Sequence, residues 1–564
     1  MNTIKPWAGK SAALLLVSAL ALAACSKEEK PPAASPSVSP AASPSGAAAS
    51  PGASAKPSAA AAQDYTLPIV KDGSVQLSFA MNDNYYAPKS FTQSLPVWDE
   101  IEKRTGVRIK WDVTPQAQYA QVMKVRLAAA KDLPDIFAIP EPNPIRLANE
   151  GLIIPLDDLI AKYAPNIRKL LADFPELRRA MQSADGKIYA LSNVVTGIAE
   201  NEPYGLMVRQ DWLKKLNLQE PRTLDDWYNV LKAFKEKDPN GNGKPDEIPL
   251  SPQNGIGGVG IFGSALGLHL LYSEGYYPDA NGKVQYQWMD EKAHQLVVWL
   301  NKLYKDGLIN PQFMRPDAEG FAKINARNLV GATDYFFGNQ PTFNAALKEA
   351  GVADPDWQST LPPAGDGQKG FYEMVGPTSG WYGISKDSKN PEVAIKWLDY
   401  IYASEEGNRL VALGIEGKSY SIVNGQPEFT EWALKNPDGL TFANALRSLG
   451  AIPPTLWART NSGPLSISPK LTQKLSPELF RQSERTKPFM VPSFSYMSTL
   501  PSASEAEETA QLLADINTYR DETLLKFITG QTPIDWNKFT STLQSMGIDK
   551  VLKNKQNQYD RARK

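Results

Sequence analysis

Between Ser74 and Ile139 the spacing of apolar residues switches repeatedly between a period of two and a period near 3.6, and few folds accommodate such a run. Val75, Leu77 and Phe79 alternate with their neighbours as in a half-buried strand. Leu95 to Thr105 has helical spacing and stops at Gly106, a residue suited to a left-handed cap. Val107, Ile109, Trp111 and Val113 alternate again, Gln116 to Lys131 forms a second helical stretch, and Asp135 to Ile139 is a short apolar strand. Strand, helix, strand, helix, strand in this order predicts a mostly parallel sheet covered by helices, hence an α/β fold. Further on, Thr223 and Asp226 form a capping box, and Leu224, Trp227, Val230, Leu231 and Phe234 fall on one helical face. Val393, Ala394, Trp397, Leu398 and Ile401 repeat that spacing, which places Trp227 and Trp397 in the core. Residues 184–190 read as a turn feeding a strand, and the polar stretch to about Pro203 as a crossing between lobes.

Nothing before residue 64 has this character. Lys5 and Lys10 precede an apolar run from Ala12 to Ala24, which is shorter than the ~20 residues of a membrane span and has the layout of a signal peptide. It ends in Leu22-Ala-Ala-Cys25-Ser26, which looks like a lipobox. The only cysteine of the chain thus stands where a thiol is needed to take up a diacylglyceryl group and acyl chains such as palmitate. Residues 31–62 hold 28 Ala, Pro or Ser out of 32, so they have almost nothing to bury and are expected to act as a disordered tether. The expected location is the extracytoplasmic face of a bacterial cell membrane, reached through a lipid anchor on Cys25.

Charge and composition narrow the function. The 564 residues carry 60 Lys and Arg against 61 Asp and Glu, and removal of residues 1–24 leaves a net charge of about −3. Such a balance supplies no drive toward nucleic acid. One cysteine excludes an internal disulfide and Cys-based zinc or iron–sulfur sites, and two histidines, His269 and His294, leave little for His-rich metal chemistry. Both histidines read as packed or surface residues. Gly255-Ile-Gly257-Gly-Val-Gly260 matches GxGxxG but lacks the strand context and acidic residue of a dinucleotide site, and reads as a flexible cleft or surface loop.

Several segments together resemble a known family. They are the lipobox with its tether, Leu133-Pro-Asp-Ile-Phe137, Asp185-Gly-Lys-Ile-Tyr-Ala190, Val208-Arg-Gln-Asp-Trp-Leu213, Lys237-Asp-Pro-Asn-Gly-Asn-Gly-Lys244, Asn328-Leu-Val-Gly-Ala-Thr333, the segment from Gly383 to Pro391, and Lys526-Phe-Ile-Thr-Gly530. In this order they resemble family 1 extracellular solute-binding lipoproteins of carbohydrate ABC importers, from the oligosaccharide-binding branch with an EF-hand-like calcium loop to which alginate-binding proteins belong. The resemblance implies a two-lobed periplasmic-binding-protein-like fold of type II, with a hinge and an interlobe cleft that holds ligand. On this basis 1–24 is the signal peptide and 25–63 the lipidated tether. The first lobe is placed at 64–195 and 376–440, and the second at 196–375 and 441–564. The implied partners are an oligosaccharide, the permease subunits of an ABC transporter and the membrane, with no nucleic acid and a monomeric protein.

Asp238, Asn240 and Asn242 occupy positions 1, 3 and 5 of an EF-hand-like loop, with Gly243 at the tight turn, the Lys244 carbonyl at position 7 and Asp246 at position 9. Oxygen donors at alternate positions suit Ca2+ in a structural role at the exit of the Thr223 helix. The glutamate expected at position 12 is replaced by Pro249, and the family resemblance favours Glu247 as the residue that closes the shell. The alternative is an Asn- and Gly-rich turn without metal.

Sugars present flat C–H faces rimmed by hydroxyls, so their sites combine aromatic platforms with polar side chains. Candidates that flank polar, Gly- or Pro-rich segments are Tyr85 and Tyr86 after the first strand, Asn201, Glu202 and Tyr204 at the crossing, Tyr335, Trp381, and Trp457 with Arg459. The leading expectation is a capture protein without catalytic residues. A glycan-degrading lipoprotein using paired carboxylates, and a surface adhesin or sensor partner, are the alternatives.

Overall fold

Leu77, Phe79 and Met81 of the strand Gln76–Asn82 have no exposed surface, and this strand lies inside a six-stranded sheet in the computed structural model of the chain. The structure describes residues 64–564, apart from 84–88, 197–202, 316, 366, 454–455, 461–464, 466–472 and 474–476. Across the sheet the order is Ala458–Arg459, Leu191–Val195, Thr378–Ile384, Ile136–Ile139, Gln76–Asn82 and Arg108–Thr114. Thr378–Ile384 runs antiparallel to both neighbours, and the other strand pairs are parallel. The helix Pro96–Thr105 returns the chain from Gln76–Asn82 to the edge strand Arg108–Thr114 and ends at Gly106 with φ 66°. A Cβ there would sit 1.9 Å from the Val70 carbonyl oxygen, so both the left-handed backbone and the close approach require glycine.

A second, four-stranded sheet has the order Trp357–Ser359, Tyr204–Arg209, Val330–Phe336 and Ile248–Leu250. The helix Leu224–Glu236 covers it through Trp227, Leu231 and Phe234, all fully buried. Its N-terminus carries the expected capping box, with Asp226 N donating to Thr223 Oγ1 at 3.1 Å and Thr223 N to Asp226 Oδ2 at 2.9 Å. The long helix Ala503–Thr529 and the C-terminal helices Trp536–Ser545 and Ile548–Ala562 join the same core through Ile516, Phe539 and Val551.

Each sheet is the centre of its own apolar cluster, which gives two lobes. The first cluster holds Leu446, Leu449, Ala451, Leu456 and Ala458, so the chain stays in the first lobe well beyond 440, where the sequence-based boundary lay. The strand Ala458–Arg459 needs that placement because it pairs with Leu191–Val195. The helix Pro477–Thr486 already belongs to the second lobe, where Gln482 Oε1 accepts from Ser359 N at 2.7 Å.

The crossings between lobes share one place. Leu191–Val195 leads out toward Tyr204–Arg209, Tyr372–Glu373 leads back into Thr378–Ile384, and Ala458–Arg459 leads out toward the helix Pro477–Thr486. These first-lobe strands are neighbours: Val194 faces Thr378 on one side and Ala458 on the other. Backbone bonds from Val195 N to the Pro377 carbonyl (3.2 Å) and from Thr196 N to the Arg459 carbonyl (3.0 Å) tie the three together where they leave the sheet. A further link comes from Leu500, which packs against the first cluster and donates its N–H to the Gln182 carbonyl.

The body begins on the first lobe. Asp64 pairs with Arg168 at 2.6 Å, and the Tyr65 hydroxyl donates to the buried Asp399, which also accepts from Ile167 N and Asn166 Nδ2. Among the described residues no helix is long and apolar enough to cross a membrane.

Candidate functional site

The crossings emerge at the end of the first sheet where its parallel strands finish, which is where open α/β sheets place ligands. On this face Trp457 is half-buried, its N–H donates to Asn193 Oδ1 at 3.0 Å, and the Arg459 guanidinium lies 5.1 Å from its ring centroid. Trp381 is buried in the first core and its indole N–H donates to the Pro142 carbonyl at 2.9 Å. Its strand reverses the local alternation at a bulge between Ser379 and Trp381, turning the ring inward as packing rather than as a free platform.

The second lobe presents the ends of Val330–Phe336 and Ile248–Leu250. Tyr204 is buried edge-on between Tyr272 and Phe336, and its hydroxyl donates to Asp334 Oδ2 at 2.6 Å. Asp334 Oδ1 accepts from Gln253 N at 2.7 Å. Burial pushes the Asp334 carboxyl above its ordinary value, while its bonds to Tyr204 and Gln253 act the other way. Gly258 is confined by this carboxylate, since a Cβ would stand 2.6 Å from Asp334 Oδ2. The glycine-rich segment Gly255–Gly260 is therefore a short helix packed on Asp334, and the expectation of a flexible loop is corrected. Tyr335 is half-buried against Phe321 and Phe343.

Further aromatic groups on this lobe carried no local signal in the sequence. His269 is stacked between Tyr277 and Phe371, at centroid distances of 3.4 and 4.2 Å. Buried Glu373 holds the adjoining turn by accepting from Leu271 N (2.8 Å), Tyr272 N (3.1 Å) and the Ser273 hydroxyl. His294 sits beside Glu291 and stacks on Trp536, a surface packing role.

Where Ile136–Ile139 ends, Glu141 to Glu150 of the first lobe face the helices Ala503–Thr529 and Ile548–Ala562 across a cavity of about 750 Å3. Its walls combine small apolar residues, such as Pro142, Ala506 and Ala510, with Asn143, Asn554 and Gln558. Arg146 bridges Glu141 and Glu150, with contacts of 2.9 and 2.7 Å. The Pro-rich run Pro140-Glu-Pro-Asn-Pro144 directly after a strand was the one sequence signal that could have marked this wall.

The loop between Leu224–Glu236 and Ile248–Leu250 is folded around its own oxygens. Asp238, with φ 45°, accepts from Gly241 N and Asn242 N through Oδ1 and from Gly243 N through Oδ2. Asn240 Oδ1 accepts from Asn242 N and Asn242 Oδ1 from Lys244 N, while both amide nitrogens donate to Asp246 Oδ1. Both carboxylate oxygens of Glu247 are buried without a hydrogen-bond partner, and burial, reinforced by the charges of Asp238 and Asp246, pushes this carboxyl upward. Among the described residues no three His, Cys, Asp or Glu side chains converge as a metal group, so any cation here would rely on amide and backbone oxygens as well. Cys25, Tyr85, Tyr86, Asn201 and Glu202 lie outside the described residues.

Residues 89–408 match the family of bacterial extracellular solute-binding proteins. The chain belongs to that family. The fructooligosaccharide ABC transporter substrate-binding protein FusA of Streptococcus pneumoniae is 27% identical over 516 residues, covering 86% of this chain and 90% of the relative. The polygalacturonan/rhamnogalacturonan-binding protein YtcQ of Bacillus subtilis is 30% identical over 251 residues, 42% of this chain and 47% of that protein. The crystal structure of the alginate-binding protein AlgQ2 without calcium ion superposes with a TM-score of 0.69 at 26% identity, covering 87% of this chain and 99% of that one. The two-lobed α/β fold expected from sequence is thus that of the solute-binding proteins.

Proposed function

We propose that this protein captures an oligosaccharide between its lobes and delivers it to the permease of an ABC importer, as a binding protein rather than an enzyme. The observation that carries the reading is the set of three adjacent crossing strands, which join the two lobes at the end of the first sheet where α/β folds take their ligands. Trp457 and Arg459 of the first lobe and half-buried Tyr335 of the second would offer ring faces and hydrogen-bond partners of the kind sugars require, with the buried Tyr204–Asp334 pair as support behind Tyr335. Tyr85, Tyr86, Asn201 and Glu202 would extend these walls, while Trp381 supports the first wall from within. FusA, named as a substrate-binding protein of this transporter class, spans nearly the same length, which supports capture over hydrolysis. A ligand touching both lobes favours the closed state because only that state makes both sets of contacts. Lipid attachment at Cys25 would keep the protein at the outer face of the membrane.

The loop at Asp238 is proposed to hold a structural Ca2+ through Asp238, Asn240, Asn242, the Lys244 carbonyl, Asp246 and Glu247. The partnerless, buried Glu247 carboxylate is the observation that fits a cation. Bound there, the ion would fasten the edge strand Ile248–Leu250 to the helix before it.

The test is thermal unfolding against a panel of neutral and acidic oligosaccharides, with calcium and with chelator. One glycan class should raise the Tm without release of reducing ends, since a ligand of the folded state stabilises by RT ln(1 + [L]/Kd). A flat panel, or product release, would overturn capture. Chelator should lower the Tm of the wild type and leave Glu247→Gln unchanged; a wild type indifferent to calcium over the same range would remove the ion from this account.

A further inference from the structure

Between Tyr496, which packs on the second cluster, and Ile516 in the second core, the chain briefly visits the other lobe. Half-buried Leu500 lies against the first cluster, and its N–H donates to the Gln182 carbonyl at 3.1 Å. The lobes also meet on either side of it, where the turn Phe494–Met497 lies against the helix Pro175–Met181 and Ala503–Thr529 against Ile145–Asn149. None of these residues belongs to the three crossings.

The turn that presents Leu500 is held by the second lobe. Arg561 of the C-terminal helix donates Nε–H to Thr499 Oγ1 (3.1 Å), an Nη–H to the Leu500 carbonyl (3.1 Å), and both Nη groups to the carboxylate of buried Glu505 (2.8 and 2.7 Å). These bonds occupy most of what a guanidinium can donate, and its bidentate fork fixes direction as well as distance. Glu505 in turn closes the capping box with Ser502, and Thr499 N donates to the Gln558 carbonyl at 3.2 Å. A turn that served only to start the helix Ala503–Thr529 could fold its apolar side chain into its own lobe. Here the donors gathered around it leave the leucine on the neighbouring lobe instead.

We propose that Leu500 is a catch that holds the two lobes in the observed orientation, with Arg561 as the positioning residue that presents it. A half-buried side chain and one backbone bond can part when a lobe rotates, because neither apolar cluster has to open. The catch therefore biases an equilibrium between orientations on which cargo must also act. Its strength would enter the apparent affinity through the fraction of molecules in the competent orientation. That consequence rests on the capture reading, whereas the catch itself needs no ligand.

The test accordingly measures the lobes without ligand. Spin labels on Lys103→Cys and Lys323→Cys, in the full chain with Cys25→Ser, report the interlobe distance by pulsed electron paramagnetic resonance. Leu500→Ala should shift that distance, or add a second one, by more than about 2 Å. Leu500→Met, of similar volume, should keep the wild-type distance. Arg561→Lys keeps the charge but not the fork, and should move the lobes as Leu500→Ala does. A wild-type distance in Leu500→Ala would overturn the catch. An Arg561→Lys protein with a lowered Tm and a wild-type distance would make Arg561 a stability residue and overturn its positioning role. Leu500→Ala leaves the Arg561 network whole, so it keeps the test standing if Arg561→Lys does not fold. Since no sugar enters the measurement, a flat glycan panel would remove capture and leave the catch to stand or fall on these distances.

Discussion

Asp399 is a carboxylate with no exposed surface that accepts hydrogen bonds from Tyr65, Asn166 and Ile167. Burial pushes its pKa from 3.8 to about 6, and the three donors offset only part of that cost. The folded chain therefore holds this proton to a higher pH than the unfolded chain does. The associated stability is fully present below about pH 3.8 and is lost as pH rises through about 6. Two pKa units correspond to about 3 kcal/mol. Urea unfolding of wild type and Asp399→Asn from pH 4 to 7 checks this: wild type should lose roughly that much stability relative to the variant across the range, with other titrating groups cancelling in the difference. A pH-independent difference would show that Asp399 stays ionised in the fold. The same residue shows what residue-level reading of the sequence can miss. Trp397 and Leu398 were legible as core from helical spacing, but nothing local marks the next residue, Asp399, as buried; Tyr65 and the helix Pro165–Asp173 supply its donors from far along the chain.

Elements whose ends are marked by neighbouring residues were the readable ones. The stop at Gly106 and the capping box at Thr223 depend on contacts within a few residues, so local pattern suffices. The strand Ala458–Arg459 has two residues and no period to detect, and it exists only because Leu191–Val195 offers it an edge. That dependence moved the lobe boundary. The cavity wall formed by Arg146 and Lys555 was equally hidden, since its halves come from opposite ends of the chain. At this scale Thr223→Ala tests how the Asp238 loop is held. Loss of the cap should cost about 1 kcal/mol. Because the helix Leu224–Glu236 feeds the loop, the loss should be smaller when calcium is bound and larger in chelator, as read from paired urea titrations. Equal losses in both would mean that the loop and the helix unfold independently.

For the molecule as a whole, the three neighbouring crossings make rotation of one lobe against the other the motion of least resistance, since the two apolar clusters remain intact on either side. Lys103 and Lys323 are exposed on the first and second lobes. Cysteines at these positions in a Cys25→Ser background, carrying spin labels, should report a distance that changes by more than about 2 Å with a bound oligosaccharide and not with a sugar that leaves the Tm unchanged. An invariant distance would mean that ligand enters a preformed cleft without closure.

Asp64 and Tyr65 fasten the start of the body to Arg168 and Asp399, both in the first lobe. A pull on the N-terminal side of Asp64 would therefore be borne by the first lobe alone. If the lobes rotate on ligand binding, the first would act as stator and the second, with the Asp238 loop, as rotor, so a partner that reads occupancy would have to read it on the second lobe.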